Sequence, residues 1–486
     1  MNSGNEDPIR HTTVRLARFR DNRLLQERII ERAMAVTHMR FDQASNGTDE
    51  QNQLCHRTAN CRKRQHEKHR KPLTESQLTN ISRPLASYAV KYIRNREYGP
   101  SRLHKTSNVH REFCNVKLPD FVSQHLPATL VEKEFDFGTM NKIFASKWLN
   151  DDQVVVGTKC NKLMVMDVRN NNLIDIQSLQ SSSDSQPAEC PCGIHSIAIN
   201  PSRTMLATGA RNTNDLAVYE LPTFDPLCVG EQAHKDWIFD MEWVDDEHIV
   251  TGSRDNSVAL WRVDCDGLST KVQGKPHPLG YRLIKPCISK DCKEAYRVRA
   301  LALGRNKQLM GVLSMNAKFH FFDINTFQQL DSEELHWKRE NVCVASSDDI
   351  GLFAVGSQAY VTLIDHRSDS KSRKRWLPVP SRNGERGVRS VGFNQNLITI
   401  GTGDGRMLFY DTRNSQLLDT KQGNNCELKV GDGWLRDDAN YREHFVHGHY
   451  PNAVYTHCYD EWKARLFVAG GPLPTGLYGN YAGLFY

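Results

Sequence analysis

The sequence of 486 residues predicts an all-β fold: a seven-bladed β-propeller, preceded by an N-terminal helical and disordered extension. Short strands recur after residue 135 with a base period of about 43 residues, which is typical of four-stranded propeller blades. The chain reaches Tyr486 in what reads as a third strand, with no room for a fourth. A strand-like stretch before the first blade can supply the missing edge.

The repeat is clearest in the segment 237–261, which alternates strand, turn, strand, polar turn and strand. Four residues here resemble the hydrogen-bond chain that locks a blade in WD-repeat propellers. They are His234, Ser253, Asp255 and Trp261. Other blades lack most of this chain, and Met315-Asn316 and Gln358-Ala359 stand where an Asp is usual. The sequence therefore defines the register of those blades less sharply.

Each blade is located by a residue near the end of its second strand. These landmarks are Gly157, Gly209, Gly252, Leu313, Gly356, Gly401 and Gly470. They place seven WD-repeat blades within residues 131–486, with insertions at 264–295 and 419–450 that we expect to decorate one face. We expect Val131–Phe137 to pair with the last blade and close the ring.

Residues 1–84 are predicted to form a basic, largely disordered extension with one helix at 20–36, where apolar residues have helical spacing. Residues 1–120 hold 23 Lys and Arg against 13 Asp and Glu, whereas the remainder holds 40 against 44. The densest run, Arg62–Lys71, is typical of a nuclear-import signal or a nucleic-acid patch. A solvated disordered tail explains this run equally well.

Composition excludes several classes of protein. Mean hydropathy is −0.59, and no apolar run is long enough to cross a membrane, so neither a span nor a membrane partner is expected. The N-terminus has no apolar core of the signal-peptide kind, so we do not expect secretion. Thirteen cysteines without a paired framework suit a reducing compartment. We expect a nuclear and cytoplasmic location.

Catalysis and metal binding find little support in the sequence. It contains no phosphate-cradling glycine loop, nucleophile elbow or His-Glu-x-x-His helix, so we expect neither an enzyme nor a cofactor. Cys190 with Cys192, and Cys287 with Cys292, have the spacing of metal ligands. Neither has a second pair at zinc-finger spacing, so no metal site is predicted.

Several stretches outside the generic blade pattern resemble one known family. They are Asn141–Asn150, Gly157–Asn161, Gly193–His195, Asn200–Thr204, His234–Phe239, Gly252–Asp255, Arg339–Cys343, Ala453–Asp460 and Ala469–Gly483. The resemblance is to the family of the damaged-DNA-binding-protein-1- and cullin-4-associated factor 12. Its members are WD-repeat substrate receptors of cullin-4 ubiquitin ligases. The resemblance covers about residues 85–486.

The resemblance implies a protein that bridges a substrate and the ligase adaptor, damaged-DNA-binding protein 1, together with cullin-4. In this family the adaptor is contacted by an N-terminal helix-loop-helix and by Asp-x-Arg motifs at the ends of third strands. Two short amphipathic helices at 85–97 and 119–130 match the first element, unless they merely pack on the propeller. The adaptor-binding candidates are Tyr88, Tyr92, Ile93, Phe121, Leu126, Leu130, Arg367 and Arg413. Asp167–Arg169 is a third copy of the motif, and local pairing within each copy is the alternative.

A basic ring is predicted on one rim of the propeller. Neighbouring strands of a blade are antiparallel, so the start of the first strand and the turn after the second share a rim. The cations at these positions are Lys142, Lys159, Arg211, Arg254, Arg297, Arg299 and Arg389. Unpaired cations crowded in this way favour an anionic ligand, because arginine holds a carboxylate or phosphate through two parallel hydrogen bonds.

A narrow channel mouth favours a chain end over a chain middle. The family that this chain resembles reads substrates that end in two glutamates, which carry three carboxylates. We therefore expect recognition of acidic C-terminal degrons in this pocket, followed by ubiquitination and degradation of the substrate. The alternatives are a WD-repeat scaffold that binds nucleic acid or other anionic partners, and a generic assembly platform without a ligase. No stacking aromatic stripe accompanies the basic tail, so nucleic acid is not favoured.

Overall fold

Seven sheets, antiparallel except for one strand pair of blade 2, form the blades in the computed structural model of the chain, as the sequence predicts. The structure describes His125 and residues 127–486, except 184, 186, 189–191, 265–279, 305–307, 369–373, 379–386, 420–424 and 462–463. The helices predicted at 20–36 and 85–97, and most of the one at 119–130, lie outside these described residues. A single 3-10 turn at Pro127–Thr129 precedes the propeller unit, which begins at Leu130.

The first four blades each run from an inner strand to an outer one. Blade 1 consists of β2 (Ile143–Trp148), β3 (Gln153–Thr158), β4 (Leu163–Asp167) and β5 (Leu173–Ile176). Blade 2 consists of β6 (Ile197–Ile199), β7 (Met205–Gly209), β8 (Leu216–Glu220), β9 (Asp225–Gly230) and β13 (Arg282–Ile284). Blade 3 consists of β10 (Ile238–Trp243), β11 (His248–Ser253), β12 (Ser257–Arg262) and β14 (Ile288–Asp291). Blade 4 consists of β15 (Val298–Gly304), β16 (Leu309–Ser314), β17 (Lys318–Asp323) and β18 (Gln328–Glu334).

The last three blades complete the ring. Blade 5 consists of β19 (Cys343–Ser347), β20 (Leu352–Gly356), β21 (Tyr360–Ile364) and β22 (Lys374–Pro378). Blade 6 consists of β23 (Val388–Asn394), β24 (Leu397–Thr402), β25 (Arg406–Asp411), β26 (Gln416–Leu417) and β27 (Glu427–Lys429). Blade 7 consists of β29 (Asn452–Tyr459), β30 (Leu466–Pro472), β31 (Gly479–Phe485), β1 (Glu132–Glu134) and β28 (Trp434–Leu435). Each of the seven landmark residues lies in the second strand of its blade.

The ring is closed by the first strand of the unit. Strand β1 pairs antiparallel with β31, with Lys133 opposite Leu484. Val131 and Tyr486 exchange backbone hydrogen bonds of 3.0 and 3.1 Å. The predicted closure by the stretch before blade 1 is therefore confirmed. Closure in this way pairs the outer edge of β31, which would otherwise be left without a partner strand.

The two predicted insertions contribute strands to neighbouring blades. In the stretch 264–295, β14 is the outer strand of blade 3, and β13 pairs parallel with β9 of blade 2. The expectation that this stretch simply decorates a face was therefore wrong for these strands, because the edges of β12 and β9 take them up as partners. In the stretch 419–450, β27 and β28 pair with β25 and β31, and the short helix α1 (Ala439–His444) follows. Within the described residues, no helix has the length and apolar character needed to cross a membrane.

The core lies between adjacent blades rather than within one blade. Apolar side chains of the second and third strands alternate toward the two neighbours, and one cluster joins Ala207 and Leu216 of blade 2 to Trp243 and Trp261 of blade 3. The approach is close at Gly230, where an added Cβ would lie 2.6 Å from the ring of Trp261. Glycine is needed there because no side chain fits between the strand and the indole.

A buried hydrogen-bond chain locks blade 3. The His234 ring lies 2.8 Å from Ser257 Oγ through Nδ1 and 2.7 Å from Thr251 Oγ1 through Nε2. Trp261 Nε1 donates to the same Thr251 oxygen at 2.8 Å. Ser257 Oγ donates to Asp255 at 2.6 Å. Burial alone would raise the pKa of Asp255, but its hydrogen bonds, that with His234 first, hold the pKa well below its usual range.

The structure corrects one member of the predicted chain. Ser253 does not link His234 to Trp261, because its hydroxyl donates to the backbone oxygen of Asp236 at 2.9 Å. Thr251, two residues earlier on the same strand, takes that position. Residues two apart share a face of a strand, so the alternation pattern alone does not distinguish them.

The variant Thr251→Val tests the importance of this chain. It leaves the indole N–H of Trp261 without its acceptor in the core, so we expect the free energy of unfolding to fall by roughly 2–4 kcal/mol. Chemical denaturation measures this change. The control Thr326→Val removes an exposed hydroxyl and should change stability by less than about 0.5 kcal/mol. Equal losses in the two variants would contradict the assignment.

Candidate functional site

The inner strands enclose a central cavity of about 470 Å³. Its mouth lies where first strands begin and where the turns follow second strands. The Lys159 amide donates to the Lys142 carbonyl at 2.8 Å, and the Arg254 amide donates to the Trp237 carbonyl at 2.9 Å. These bonds hold the two kinds of position side by side, so both contribute to one rim.

Five of the inner strands carry a β-bulge, in which one residue is left out of the ladder to the second strand. The bulged residues are Phe144, Phe239, Arg299, Arg389 and Tyr455. All five line the cavity. A bulge inserts one extra residue and redirects a side chain, so repetition around the ring points two cations and three aromatic rings into the channel.

The structure brings five of the seven predicted ligand-binding cations together. Those that line the cavity are Lys142, Lys159, Arg299 and Arg389. Arg254 lies at the mouth, with its guanidinium 4.6 Å from the ring of Trp237, which also lines the cavity. Arg211 is exposed in the turn after β7, and Arg297 stacks on the exposed ring of Tyr296 at 4.8 Å. Neither Arg211 nor Arg297 is a lining residue.

Lys142 is buried at the mouth, under the loop that joins β30 to β31. Its Nζ donates to the carbonyl of Pro474 at 2.7 Å, and Lys159 Nζ donates to the carbonyl of Thr475 at 3.4 Å. Burial, followed by the nearby charge of Lys159, lowers the pKa of Lys142 from 10.5 to about 7. The amine therefore gains and loses its proton near neutral pH, and a neighbouring carboxylate would favour the protonated form.

Asp240 is an acidic side chain that lines the same cavity. Its carboxylate accepts hydrogen bonds from Ser196 Oγ at 2.8 Å and from the backbone amides of Leu301 and Met241 at 2.8 and 2.9 Å. Burial raises the pKa of Asp240, while these hydrogen bonds and the charge of Arg299 oppose the rise. This carboxylate ties three neighbouring blades together. The prediction missed it, although an Asp between Phe239 and Met241 in an inner strand was the available signal.

An aromatic wall stands beside the cations. The Phe144 ring stacks on the His195 ring at 4.7 Å with an interplanar angle of 8°, and Tyr455 meets Phe144 edge-on at 5.2 Å. The Arg299 guanidinium lies 4.7 Å from the Phe239 ring. Burial lowers the pKa of His195 to about 3, so this imidazole is neutral at physiological pH. The wall therefore lowers the local dielectric without adding charge, which strengthens the attraction of the cations for an anion.

Two arginines of the rim are already paired with carboxylates of the same chain. Arg389 Nη2 lies 2.5 Å from Glu340 Oε2, and Arg254 Nη1 lies 3.4 Å from Asp236 Oδ2. The expectation that the ring cations are unpaired was therefore wrong for these two. Among the described carboxylates, none lies within ion-pair distance of Lys142, Lys159 or Arg299.

The cysteines near the cavity, Cys192 and Cys343, are free thiols. Cys192 Sγ lies 2.9 Å from His195 Nε2, and burial raises the pKa of Cys192 and raises that of Cys343 to about 12. Cys190 lies outside the described residues, and Cys287 is exposed whereas Cys292 is buried. Within the part of the chain that the structure describes, no group of three or more His, Cys, Asp or Glu side chains is arranged to hold a metal.

Two of the three Asp-x-Arg motifs pair internally at the ends of third strands, and the third pairs with a carboxylate outside its own motif. Arg367 makes two hydrogen bonds of 2.9 Å with the carboxylate of Asp365. Arg413 Nε lies 3.8 Å from Asp411 Oδ1, and the Arg169 side chain reaches Asp152 at 2.6 Å. Arg367 and Arg413 remain partly exposed, with 47% and 38% of their side chains accessible.

The helical adaptor-binding candidates are only partly within the described residues. Leu130 packs against the apolar cluster that joins blades 6 and 7. The other candidates lie outside the described residues: Tyr88, Tyr92, Ile93, Phe121 and Leu126.

One known family matches most of the chain. Its model describes the DDB1- and CUL4-associated factor 12 beta propeller and matches residues 126–486. The chain belongs to this family. The match confirms the resemblance inferred from the sequence, and it spans all seven blades together with the closing strand β1. The cationic cavity is thus the central channel of a propeller of the DDB1- and CUL4-associated factor 12 family.

The variant Lys142→Met tests the burial of this amine. The folded state binds fewer protons than the unfolded state between about pH 7 and pH 10.5, so Lys142 makes stability rise with pH in that window. We expect the gain in unfolding free energy from pH 7 to pH 9 to be smaller in Lys142→Met than in the wild type by roughly 1–2 kcal/mol. Lys147→Met removes an exposed lysine of the same strand and is the matched control. An unchanged pH dependence in Lys142→Met would contradict the burial.

Proposed function

We propose that the chain is a substrate receptor of a cullin-4 ubiquitin ligase and that its central cavity binds the acidic C-terminal tails of substrates. The observation that carries the proposal is the convergence of five cations on one channel mouth of this family's propeller. The family name supplies the partners, DDB1 and CUL4. In this role the chain positions a substrate and performs no chemistry itself.

The charge distribution supports an anionic ligand. Residues 121–486 hold 40 Lys and Arg against 44 Asp and Glu, so the propeller as a whole is slightly acidic. Positive charge is nevertheless in excess at the cavity, where five Lys and Arg side chains, two carboxylates and several aromatic rings line the walls. A cleft with an excess of one sign of charge and low-dielectric walls focuses the field and attracts the opposite charge.

The size of the cavity supports a chain end as the ligand. A tail that ends in two glutamates carries three carboxylates within two residues, and about 470 Å³ accommodates a few residues of peptide. Charge-assisted hydrogen bonds contribute about 1.5–3 kcal/mol each, so three or four give micromolar binding after the tail is ordered. Binding also draws a proton onto Lys142, so affinity should fall as pH rises above 7.

The rest of the chain supplies the other parts of the proposed receptor. We propose that the segment 85–130, together with Arg367 and Arg413, docks on the adaptor. The basic run Arg62–Lys71 supports a nuclear as well as a cytoplasmic location. This run lies outside the described residues.

Reversal of a rim charge should abolish tail binding without unfolding the propeller. We expect Arg254→Glu and Arg389→Glu each to weaken binding of a dye-labelled peptide ending in Glu-Glu at least tenfold, measured by fluorescence anisotropy. Arg262→Glu is the matched control, because Arg262 lies at the end of the third strand of blade 3 and does not line the cavity.

The chemistry of the peptide separates a tail reader from a nucleic-acid scaffold. Amidation of the peptide's C-terminus should weaken binding if the cavity reads a chain end, whereas a single-stranded oligonucleotide should not compete for it. Equal binding of the free and amidated peptides would contradict the assignment of the cavity as the tail-binding site. Equal affinity of Arg389→Glu and the wild type would contradict it as well.

Ligase membership is tested by co-purification from cells. The tagged full-length chain should recover DDB1 and CUL4, and a version that lacks residues 85–130 should recover neither. Cavity variants such as Arg389→Glu should retain both partners, because they alter substrate binding and leave the segment 85–130 unchanged. Absence of both partners from the full-length sample would contradict the receptor proposal.

A further inference from the structure

Arg389 is paired with a carboxylate of its own chain. Its Nη2 lies 2.5 Å from Glu340 Oε2. The Arg389 side chain is only 13% exposed and lines the cavity, whereas the Glu340 side chain is 37% exposed and lies outside the lining. The arginine is therefore fixed in the wall, and its partner approaches from the solvent side of the rim.

The backbone is shaped to seat this carboxylate. Glu340 has a φ of +55°, a conformation that side chains other than glycine adopt at a cost. Gly387, also at positive φ, lies opposite, and a Cβ there would come within 2.9 Å of Glu340 Oε2 and 3.5 Å of Arg389 Nη2. A side chain at position 387 would therefore require the Glu340 carboxylate to shift away from its place beside Arg389.

We infer that Glu340 is a built-in competitor for the ligand carboxylate that reaches Arg389. The inference rests on the proposed function and adds a specificity-determining residue to it. Glu340 already satisfies Arg389, so an incoming tail gains only the difference between its own contact and the one it displaces. Glu340 thereby lowers the affinity for acidic tails and keeps the site reversible, which suits a receptor that must release its substrate.

The other rim pair is a weaker version of the same arrangement. Arg254 and Asp236 are 3.4 Å apart, and 27% and 33% of their side chains are exposed. Arg254 is also held by the Trp237 ring. A ligand carboxylate therefore displaces less at Arg254 than at Arg389, and the competing effect is concentrated at Glu340.

Binding of glutamate-ended peptides to wild type and Glu340→Gln tests the inference. Four peptides are compared: one ending in Glu-Glu, and three in which the penultimate side chain, the last side chain or the terminal carboxylate is neutralised as Gln or as an amide. Glu340→Gln should bind the Glu-Glu peptide roughly three- to tenfold tighter. The gain should fall below twofold for the one neutralised peptide that lacks the carboxylate facing Arg389.

Two further variants exclude other causes. Glu334→Gln changes the net charge equally at an exposed ion pair with Lys338 that does not line the cavity, so it should leave affinity within twofold. Glu340→Asp retracts the carboxylate by one methylene and should give an intermediate gain.

The possible results have distinct meanings. Weaker or unchanged binding by Glu340→Gln would overturn the inference, since Glu340 would then orient Arg389 or have no effect. An equal gain for all four peptides, or for Glu334→Gln, would overturn it in favour of a general charge effect. No binding of any peptide by the wild type would mean that the proposed function itself has failed, and the inference with it.

Discussion

Closure of the ring by β1 is the constraint on which the rest of the structure depends. Seven blades surround a channel only if the last blade is completed, and the strand that completes it comes from the opposite end of the propeller sequence. The carboxylates of Glu132 and Glu134 extend this contact by accepting the amides of Gly431 and Gly433 at 3.0 and 2.8 Å. Backbone pairing and side-chain contacts together join β1 to blade 7 and to the stretch 419–450. The distances between cations across the channel mouth follow from that closure.

The chemistry of the channel arises from a repeated departure from regular strand geometry. A regular inner strand would alternate its side chains between the two neighbouring blades, and few would point along the channel. Bulges at Arg299 and Arg389 release these residues from the ladder and turn their side chains inward. Bulges in other blades turn aromatic rings into the channel in the same way. One local distortion, used five times, thus creates a cationic and aromatic cavity inside a stable scaffold.

The protein manages the repulsion between these cations by partial compensation. Asp240 lies deep in the cavity near Arg299, Glu340 and Asp236 pair with rim arginines, and Lys142 has a lowered pKa. Each compensation reduces the electrostatic repulsion between the cations. It must be partly undone when an anion binds. Selectivity for a ligand with several carboxylates follows. A ligand with a single charge replaces few of the favourable interactions that its binding displaces.

The sequence by itself determined the blade period, the number of blades, the ring closure, the family and the set of cations near one rim. These features depend on local alternation and on motifs that need no knowledge of distant contacts. Only the tertiary structure decided that Arg211 and Arg297 lie apart from the cavity, that Thr251 replaces Ser253 in the buried chain, and that Glu340 faces Arg389. These outcomes depend on bulges, on positive-φ turns and on contacts between residues about fifty positions apart. A side chain's direction at such places is set by the neighbouring blade, which the local pattern does not contain.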